Sequence, residues 1–260
     1  MTTIATWNIN SVRLRAGLVK QFLEEQQPDI LCLQETKSPV DKLPDGFEEL
    51  GYEIVTACGF KGYNGVAILS RVPVEPVDNM EMCGLDDARH CAVRLKDGVL
   101  LHNFYVPAGG DVPDPELNPK FDHKLRFLAE MTEWSRTLDG PQILVGDLNV
   151  APLPEDVWSH RQLLKVVSHT PVETEAMTRL METGGWQDLA RIDIPAHEKL
   201  YSWWSYRARD WRASDRGRRL DHIWARGDLP HLAGSSRLLK EYRGAERPSD
   251  HVPVLASFPI

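Results

Sequence analysis

Short apolar runs alternate along the chain with longer stretches in which apolar residues recur at helical spacing. Residues 3–9, TIATWNI, mix apolar and small residues as a strand does, and residues 13–26 set Leu14, Leu18 and Phe22 at i, i+4 and i+8, one stripe of a helix. Residues 28–35, PDILCLQE, read as a short buried strand entered through a proline, so β, α, β is predicted within the first 35 residues. Further strands are predicted at 52–57, 65–70, 91–95 and 99–106, the last two joined across KDG as a hairpin. A Pro- and Gly-rich loop at 107–119 precedes a helix over 120–138, with Phe121, Leu125, Leu128 and Met131 on one side. QILVGDLN (142–149) then follows a DGP turn. The second half repeats this kind of order, with a loop holding Pro152 and Pro154, a helix over 173–182 ending at Gly184 and Gly185, and strands at 220–225 and 252–258. Strands in both halves with helices between them predict an α/β fold, a two-sheet, four-layered α/β sandwich forming a single domain over residues 1–260. A division near residue 140 is the alternative.

Composition adds little to this picture but removes some options. The chain is 42% hydrophobic and 26% charged, an ordinary globular balance, and no run approaches the roughly 18–20 apolar residues of a membrane span. The N-terminus runs straight into a strand pattern, so the expected setting is cytoplasmic, with no membrane partner. Cys32, Cys58, Cys83 and Cys91 show no CxxC spacing, and Cys32 and Cys91 lie in apolar runs, which suits reduced, buried thiols. A net charge of −8 would by itself argue against a polyanionic partner. Residues 207–219, RARDWRASDRGRR, nevertheless hold six Arg against two Asp, and carboxylates gathered around a cation would lower the net charge themselves.

In five places an apolar strand or tight turn ends on a residue able to bind a hard cation or move a proton: Asn8, Glu35, Asp147 with Asn149, Asp221, and Asp250 with His251. Singly, each has an ordinary explanation as a turn former, a helix cap or a satisfied histidine. Together they match the way sites in sheet proteins collect at strand ends, where a rigid ladder fixes the loops. Oxygen donors without cysteine point to Mg²⁺, or Mn²⁺, in place of zinc.

The motifs WNIN (7–10), LQETK (33–37), YNGVAILS (63–70), GDLNVAP (146–152), RRLDHI (218–223) and SDHVPV (249–254) occur in an order that resembles the exonuclease III-type apurinic/apyrimidinic endonucleases, within the endonuclease/exonuclease/phosphatase superfamily. The resemblance spans residues 4–258. It implies a Mg²⁺-dependent DNA repair hydrolase that cuts 5′ to abasic sites and trims 3′ ends of double-stranded DNA, acting as a monomer. It further implies that Glu35 ligates the metal with Asn8 and Asp250 close by, and that Asp147 deprotonates the attacking water, which Asn149 holds. His251 would meet the scissile phosphate with Asp221 fixing its tautomer and charge, Tyr105 would reach the phosphate, and Asp147, Asn149 and His251 complete the set around the metal. Asp147 and Asn149, two apart on a strand, are expected to face one side.

For the DNA, YSWWSYRARDWRASDRGRR (201–219) interleaves Tyr201, Trp203, Trp204, Tyr206 and Trp211 with arginines, a pattern suited to stacking and phosphate contact. The resemblance places Trp203 at the pocket for a flipped abasic sugar, with Arg218 and Leu220 near it, and Arg207 and Trp211 are expected DNA contacts on the loop over the site. Arg13, Lys61 and Arg89 are further expected DNA contacts. Trp204 and Tyr206 suit the core equally well. The chain departs from the family pattern at Ser11, where glycine is common after WNxN, at Arg218, where a large apolar residue is common, and in HCAVRL (90–95), which lacks an acidic residue. Two other readings remain: a phosphatase or phosphodiesterase of the same fold acting on other phosphate esters, and a non-catalytic RNA-associated regulator like the bacterial catabolite repression control protein. The second would require loss of the metal and base residues, all of which are present.

Overall fold

Alternation along two neighbouring strands sets the layering: Ile4, Ile30 and Cys32 point to one face of their sheet, while Ala5, Trp7, Leu31 and Leu33 point to the other. The computed structural model describes all of residues 1–260. Its first half contains β1 (Thr2–Asn8), α1 (Ala16–Gln26), β2 (Ile30–Gln34), β3 (Glu53–Phe60), β4 (Tyr63–Ser70), β5 (Val74–Val77), β6 (His90–Leu95), β7 (Leu100–Tyr105) and α2 (Pro119–Arg136). Its second half contains β8 (Gln142–Asp147), α3 (His160–Leu163), α4 (Pro171–Gly184), β9 (Gln187–Asp188), α5 (Leu189–Asp193), β10 (Trp203–Trp204), α6 (Trp211–Ser214), β11 (Gly217–Arg218), β12 (Asp221–Arg226), β13 (Arg237–Leu238) and β14 (Val254–Phe258). No helix is long and apolar enough to cross a membrane.

Two six-stranded mixed sheets result, ordered β13-β14-β1-β2-β4-β3 and β5-β6-β7-β8-β12-β9. Each has one parallel pair near its middle, β1 with β2 and β7 with β8, flanked by antiparallel neighbours. Their facing sides share a core that includes Ile4, Ile30, Cys32 and Ile68 from one sheet and Cys91, Val93, Ile143, Val145 and Ile223 from the other. Helix α1 covers the first sheet with Leu18, Val19, Phe22 and Leu23, and α2 with α4 covers the second through Phe127, Leu128, Met131, Met177 and Leu180. The order is therefore helix, sheet, sheet, helix, the four-layered sandwich expected. All four cysteines are free, and Cys32 and Cys91 are buried as expected.

Several boundaries differ from the expected ones for local reasons. The first helix begins only at Ala16, and Leu14 is exposed in the turn before it, so its buried stripe starts at Leu18. In α2 the buried face runs through Phe121, Lys124, Phe127, Leu128 and Met131, with Leu125 only half-buried. Strand β8 stops at Asp147 instead of continuing to Asn149. The strands β5, β9, β10, β11 and β13 are two to four residues long and carry too few positions for a periodic signal. β10 and β11 nonetheless matter, because their ribbon pairs Trp203 with Arg218. The segment Asp250–Val252 joins it through a bridge between Trp203 and His251 and bonds from Trp204 N to Asp250 O and Val252 N to Ser202 O.

Candidate active site

The C-terminal ends of β1, β2 and β8, the start of β12 and the turn before β14 converge at one end of the sandwich. Gly146 makes part of this approach possible. Its φ is 142°, and a Cβ built on it would lie 1.9 Å from Phe104 O on the neighbouring strand, so only glycine lets β7 and β8 run together up to Asp147.

Asp147 is buried at the foot of the cavity and gathers three donors. Its Oδ2 accepts from Asn8 Nδ2 at 2.8 Å and Asn149 Nδ2 at 3.1 Å, and its Oδ1 accepts from Asn149 N at 3.0 Å. Asn149 reaches it by a turn, not by strand alternation: it lies past the strand end with φ 54°, and its Nδ2 also donates to Val106 O at 2.9 Å. The expected common side is thus reached by a different backbone route. Burial pushes the Asp147 carboxyl up to about 7, against the pull of the His251 charge.

His251 stands on the other side of Asp147, its Nε2 3.7 Å from Asp147 Oδ2 and its Nδ1 2.8 Å from Asp221 Oδ2. The same Asp221 oxygen accepts from Ser202 Oγ at 2.6 Å, and Ser202 Oγ in turn accepts from the Leu220 and Asp221 amides, both at 3.0 Å. Trp7 Nε1 donates to His251 O at 3.0 Å and so fixes the backbone beneath the ring. Burial alone would discharge this imidazole, but Asp221 and then Asp147 outweigh it and raise its pKa to about 10. His251 is therefore an imidazolium at neutral pH and presents an N–H donor towards Asp147, and ligating a metal would require loss of that proton.

Glu35 flanks Asp147 across Asn8, whose Nδ2 donates to Glu35 Oε1 at 3.0 Å while its Oδ1 accepts from Asn10 N at 3.0 Å. Asn8 thus offers the two carboxylates its amide nitrogen. Lys37 Nζ lies 2.7 Å from Glu35 Oε2. Burial works against the Glu35 charge, yet Lys37 and the Asn8 bond hold its carboxyl below the ordinary range. Asp250 is likewise held down, its burial offset by His251, Asn10 and Trp203, with Asn10 Nδ2 at 3.0 Å and Trp203 Nε1 at 2.9 Å. Asn10, Ser11, Glu35 and Asn149 all have φ between 46° and 85°, so the rim is built from left-handed backbone that ordinary residues avoid.

These groups open into a cavity of about 660 Å³ whose wall includes Glu35, Asp147, Asn149, Asp250 and His251. Trp203, Arg207, Arg218 and Leu220 line it too, as the sequence led one to expect. Tyr105 and Arg89 instead line an adjoining cavity of about 410 Å³, which shares Glu35 with the first. Arg89 stacks on the Tyr105 ring at 4.9 Å and pairs with Asp87. Burial, then Glu35 and Asp147, raises the Tyr105 hydroxyl well above its ordinary pKa, so it stays protonated.

Other expected contacts lie elsewhere. Arg13 and Lys61 are exposed and line neither cavity. Trp211 also stays outside: Asp210 caps α6 and the indole packs against Trp204 at 5.3 Å. Tyr201 and Trp204 are buried, Tyr206 is exposed and bonded to Arg15 and Pro248, and Arg219 is buried in ion pairs with Asp156 and Asp188. The Arg- and Trp-rich stretch is therefore half structural. Sequence reading missed Ser202, Trp158, and the 166–168 wall of the cavity; the last two carry no periodic or motif signal.

The residues fit a divalent cation. Asp147, Asp221 and His251 place one ligand atom each within 4.8 Å of one another, Asp221 Oδ1 is buried without a partner, and Glu35 adds a carboxylate with no thiol in the set. Because His251 and Asp221 are already bonded to each other, the cavity-facing carboxylates Glu35 and Asp147 are the better oxygen donors, a set suited to a hard ion.

Comparison with known proteins agrees with this geometry. Residues 5–251 match the Endonuclease/Exonuclease/phosphatase family. An exodeoxyribonuclease of Bacillus subtilis is 30% identical over 96% of this chain and 97% of its own. An AP endonuclease from Archaeoglobus fulgidus has a TM-score of 0.90 at 33% identity, and a 3′ phosphatase from Neisseria bound to product DNA hairpin has 0.88 at 32%, both covering 100% of each chain. The chain belongs to the endonuclease/exonuclease/phosphatase family, and within it to the exonuclease III type.

Proposed function

We propose that this protein is a DNA repair hydrolase that cuts the phosphodiester 5′ to abasic sites, leaving a 3′-hydroxyl, and that trims 3′ ends of duplex DNA. The observation that carries the reading is the juxtaposition, in one cavity, of the buried Asp147 carboxylate and the buried His251 imidazolium, with Asp147 Oδ2 3.7 Å from His251 Nε2. Burial raises the proton affinity of the Asp147 carboxyl, which favours it as a general base. Asn8 and Asn149 aim its oxygens so that it can hold a water and take its proton. The His251 N–H and the protonated Tyr105 hydroxyl stand ready to stabilise the phosphate oxygens as negative charge grows on them.

Glu35, with Asp147, would hold Mg²⁺ or Mn²⁺, which when bound neutralises phosphate charge and steadies the departing oxygen. Asp250, locked by Asn10 and Trp203, shapes that side of the cavity without direct need of the ion. Exposed Arg207 and Arg216 on the cavity rim meet the DNA backbone, Arg89 does so beside the second cavity, and Arg13 and Lys61 extend the contact at the periphery. Relatives named as exodeoxyribonuclease, AP endonuclease and DNA 3′ phosphatase support activity at phosphodiesters of DNA in place of other phosphate esters. Retention of every catalytic group speaks against a regulator without activity. We assign a monomer of the cytoplasm as its working state.

The test is incision of a duplex with one synthetic abasic site, run with and without chelator beside an undamaged 3′-recessed duplex. Chelator-sensitive cutting at the abasic site, with shortening of the recessed end, is expected. A protein that leaves both duplexes intact in Mg²⁺ and in Mn²⁺ is not this enzyme.

A further inference from the structure

Lys124 sits on the buried face of α2, and neither it nor its partner Glu173 exposes any side-chain surface, so the ammonium meets neither cavity. Its three donors are all used. One pairs with Glu173 Oε1, one donates to Asn149 O at 2.7 Å, and one reaches Ala108 O at 3.5 Å. Glu173 in turn accepts from the Ser168 amide on both oxygens at 2.9 Å, from Thr170 N at 3.1 Å and from Thr170 Oγ1 at 2.6 Å. Each of the three segments so gripped walls the site: Ala108 lines both cavities, and Asn149 and Ser168 line the larger one. The lysine stem is clamped as well. The Gly109 backbone, at φ 85°, packs so closely on it that a Cβ there would lie 2.9 Å from Lys124 Cδ and 3.1 Å from Val167 Cγ1.

An ion pair in a dry interior is a costly way to hold a fold, and apolar side chains of the same volume often serve stability as well or better. What they could not do is satisfy the Asn149 carbonyl. Asn149 has a left-handed backbone, φ 54°, and turns its amide N and its Nδ2 to the Asp147 carboxylate at 3.0 and 3.1 Å while its carbonyl meets the buried ammonium. Left without a donor in the interior, that carbonyl would gain by rotating towards another, and the moving peptide would carry the Asn149 side chain with it. Asp147 would then keep its bond from Asn8 and lose the aim that Asn149 gives to its oxygens. We propose, resting on the nuclease reading above, that Lys124 is a positioning residue of the reaction, a buried ammonium that holds the Asn149 turn, and through it the Asp147 carboxylate, in the geometry that takes a proton from water. Its contribution is to the rate of the chemical step and not to the grip on DNA, which it does not touch.

The experiment measures the single-turnover rate of incision on the abasic duplex, duplex affinity by gel shift, and urea midpoints for the wild type, Lys124→Met, and the charge-free pair of Lys124→Met with Glu173→Gln. Lys124→Met is expected to lower the rate about tenfold to a hundredfold, the size that an ångström-scale misplacement produces, with affinity unchanged within about twofold. The charge-free pair is expected to regain part of the urea midpoint that Lys124→Met loses and none of the rate, because the Asn149 carbonyl still lacks its donor. A double-variant cycle then asks whether the effect passes through Asn149: Lys124→Met added to Asn149→Ala should cost no more than about threefold further. The proposal is overturned by a folded Lys124→Met protein with the wild-type rate, by a loss confined to affinity, by a rate that returns together with the stability of the charge-free pair, or by full additivity with Asn149→Ala. Failure of both Lys124→Met and the charge-free pair to fold overturns it too, since Lys124 would then hold the fold and not the site. A wild type that cuts neither the abasic nor the recessed duplex overturns the nuclease reading instead, a result distinct from a wild type and a Lys124→Met protein that cut equally well.

Discussion

Two sets of fully buried histidines show what a single neighbour does to the same side chain. Under the second sheet, Met80 N donates to His90 Nδ1 at 3.0 Å, so the His90 proton sits on Nε2 and is given to His102 Nδ1 at 3.1 Å, and His102 Nε2 gives its own to Gln142 Oε1 at 3.0 Å. Nothing in that chain is charged, and burial lowers both pKa values, that of His102 to about 4. In the cavity His251 is no less buried, yet its value rises to about 10 because Asp221 and Asp147 stand beside it. Burial therefore sorts histidines into structural and chemical kinds only through what accompanies them: beside an amide, burial leaves the ring neutral, whereas a carboxylate outweighs burial and keeps it charged.

The strongest way to break the chemical half of this contrast is to remove Asp147, the base proposed above. Asp147→Asn should lower incision at an abasic site at least about a thousandfold while duplex affinity in a gel-shift assay changes little. An unaltered cleavage rate would show that another group takes the proton. Asp221→Asn leaves the imidazole in place but replaces its carboxylate with an amide, making it resemble His102. Incision is expected to fall about a hundredfold, mainly in kcat. A loss confined to KM would mean that Asp221 acts on substrate binding and not through His251.

The structural half is sharpened by pH. His102 and His222 both have folded-state values of about 4, with burial the leading cause, below the ordinary 6.5. The unfolded chain thus takes up the proton first, so stability is complete above about pH 6.5 and drains away as pH falls towards 4. Each imidazole should account for roughly 2 kcal/mol lost at pH 5. In urea melts at pH 7.5 and pH 5, His102→Gln should shrink the difference by about that amount; a difference of unchanged size would show that His102 does not couple folding to pH. The smallest expected effect concerns the backbone around the charged site. Ser11 holds φ 85°, and its amide donates to Glu35 O at 2.7 Å. Ser11→Gly should stabilise the fold by about 1 kcal/mol, since relief of the left-handed conformation exceeds glycine's extra freedom when unfolded, and a decrease in urea midpoint would refute this.

The contrast also marks how far the sequence can be read. Asn8, Glu35, Asp147, Asp221 and His251 were legible because each stands at the end or the start of a strand, or in the turn beside one, next to an apolar run. Ser11 holds a φ that glycine adopts without strain, which suits the glycine that the resemblance led one to expect there. Lys124 left a signal too, since it falls on the apolar stripe of α2 with Phe121 and Leu128, a place where a lone charge requires a buried partner. That partner, Glu173, is 49 residues away, and no local pattern names it. The same holds for Ser202 and for the pairing of Arg219 with Asp156 and Asp188, where an arginine in a basic stretch serves the interior. Long-range pairing of polar groups depends on where loops fold back, which periodicity does not encode.

Lys124 and Glu173 are both wholly enclosed, and between them they hold Asn149 O at 2.7 Å and the Ser168 amide at 2.9 Å. Mobile ions in the solvent have no path to that pair, while they compete freely with Arg207 and Arg216 for phosphate. Ionic strength should therefore loosen the grip on DNA and leave the shape of the cleft alone, so a salt titration of this enzyme weighs attachment separately from catalytic form.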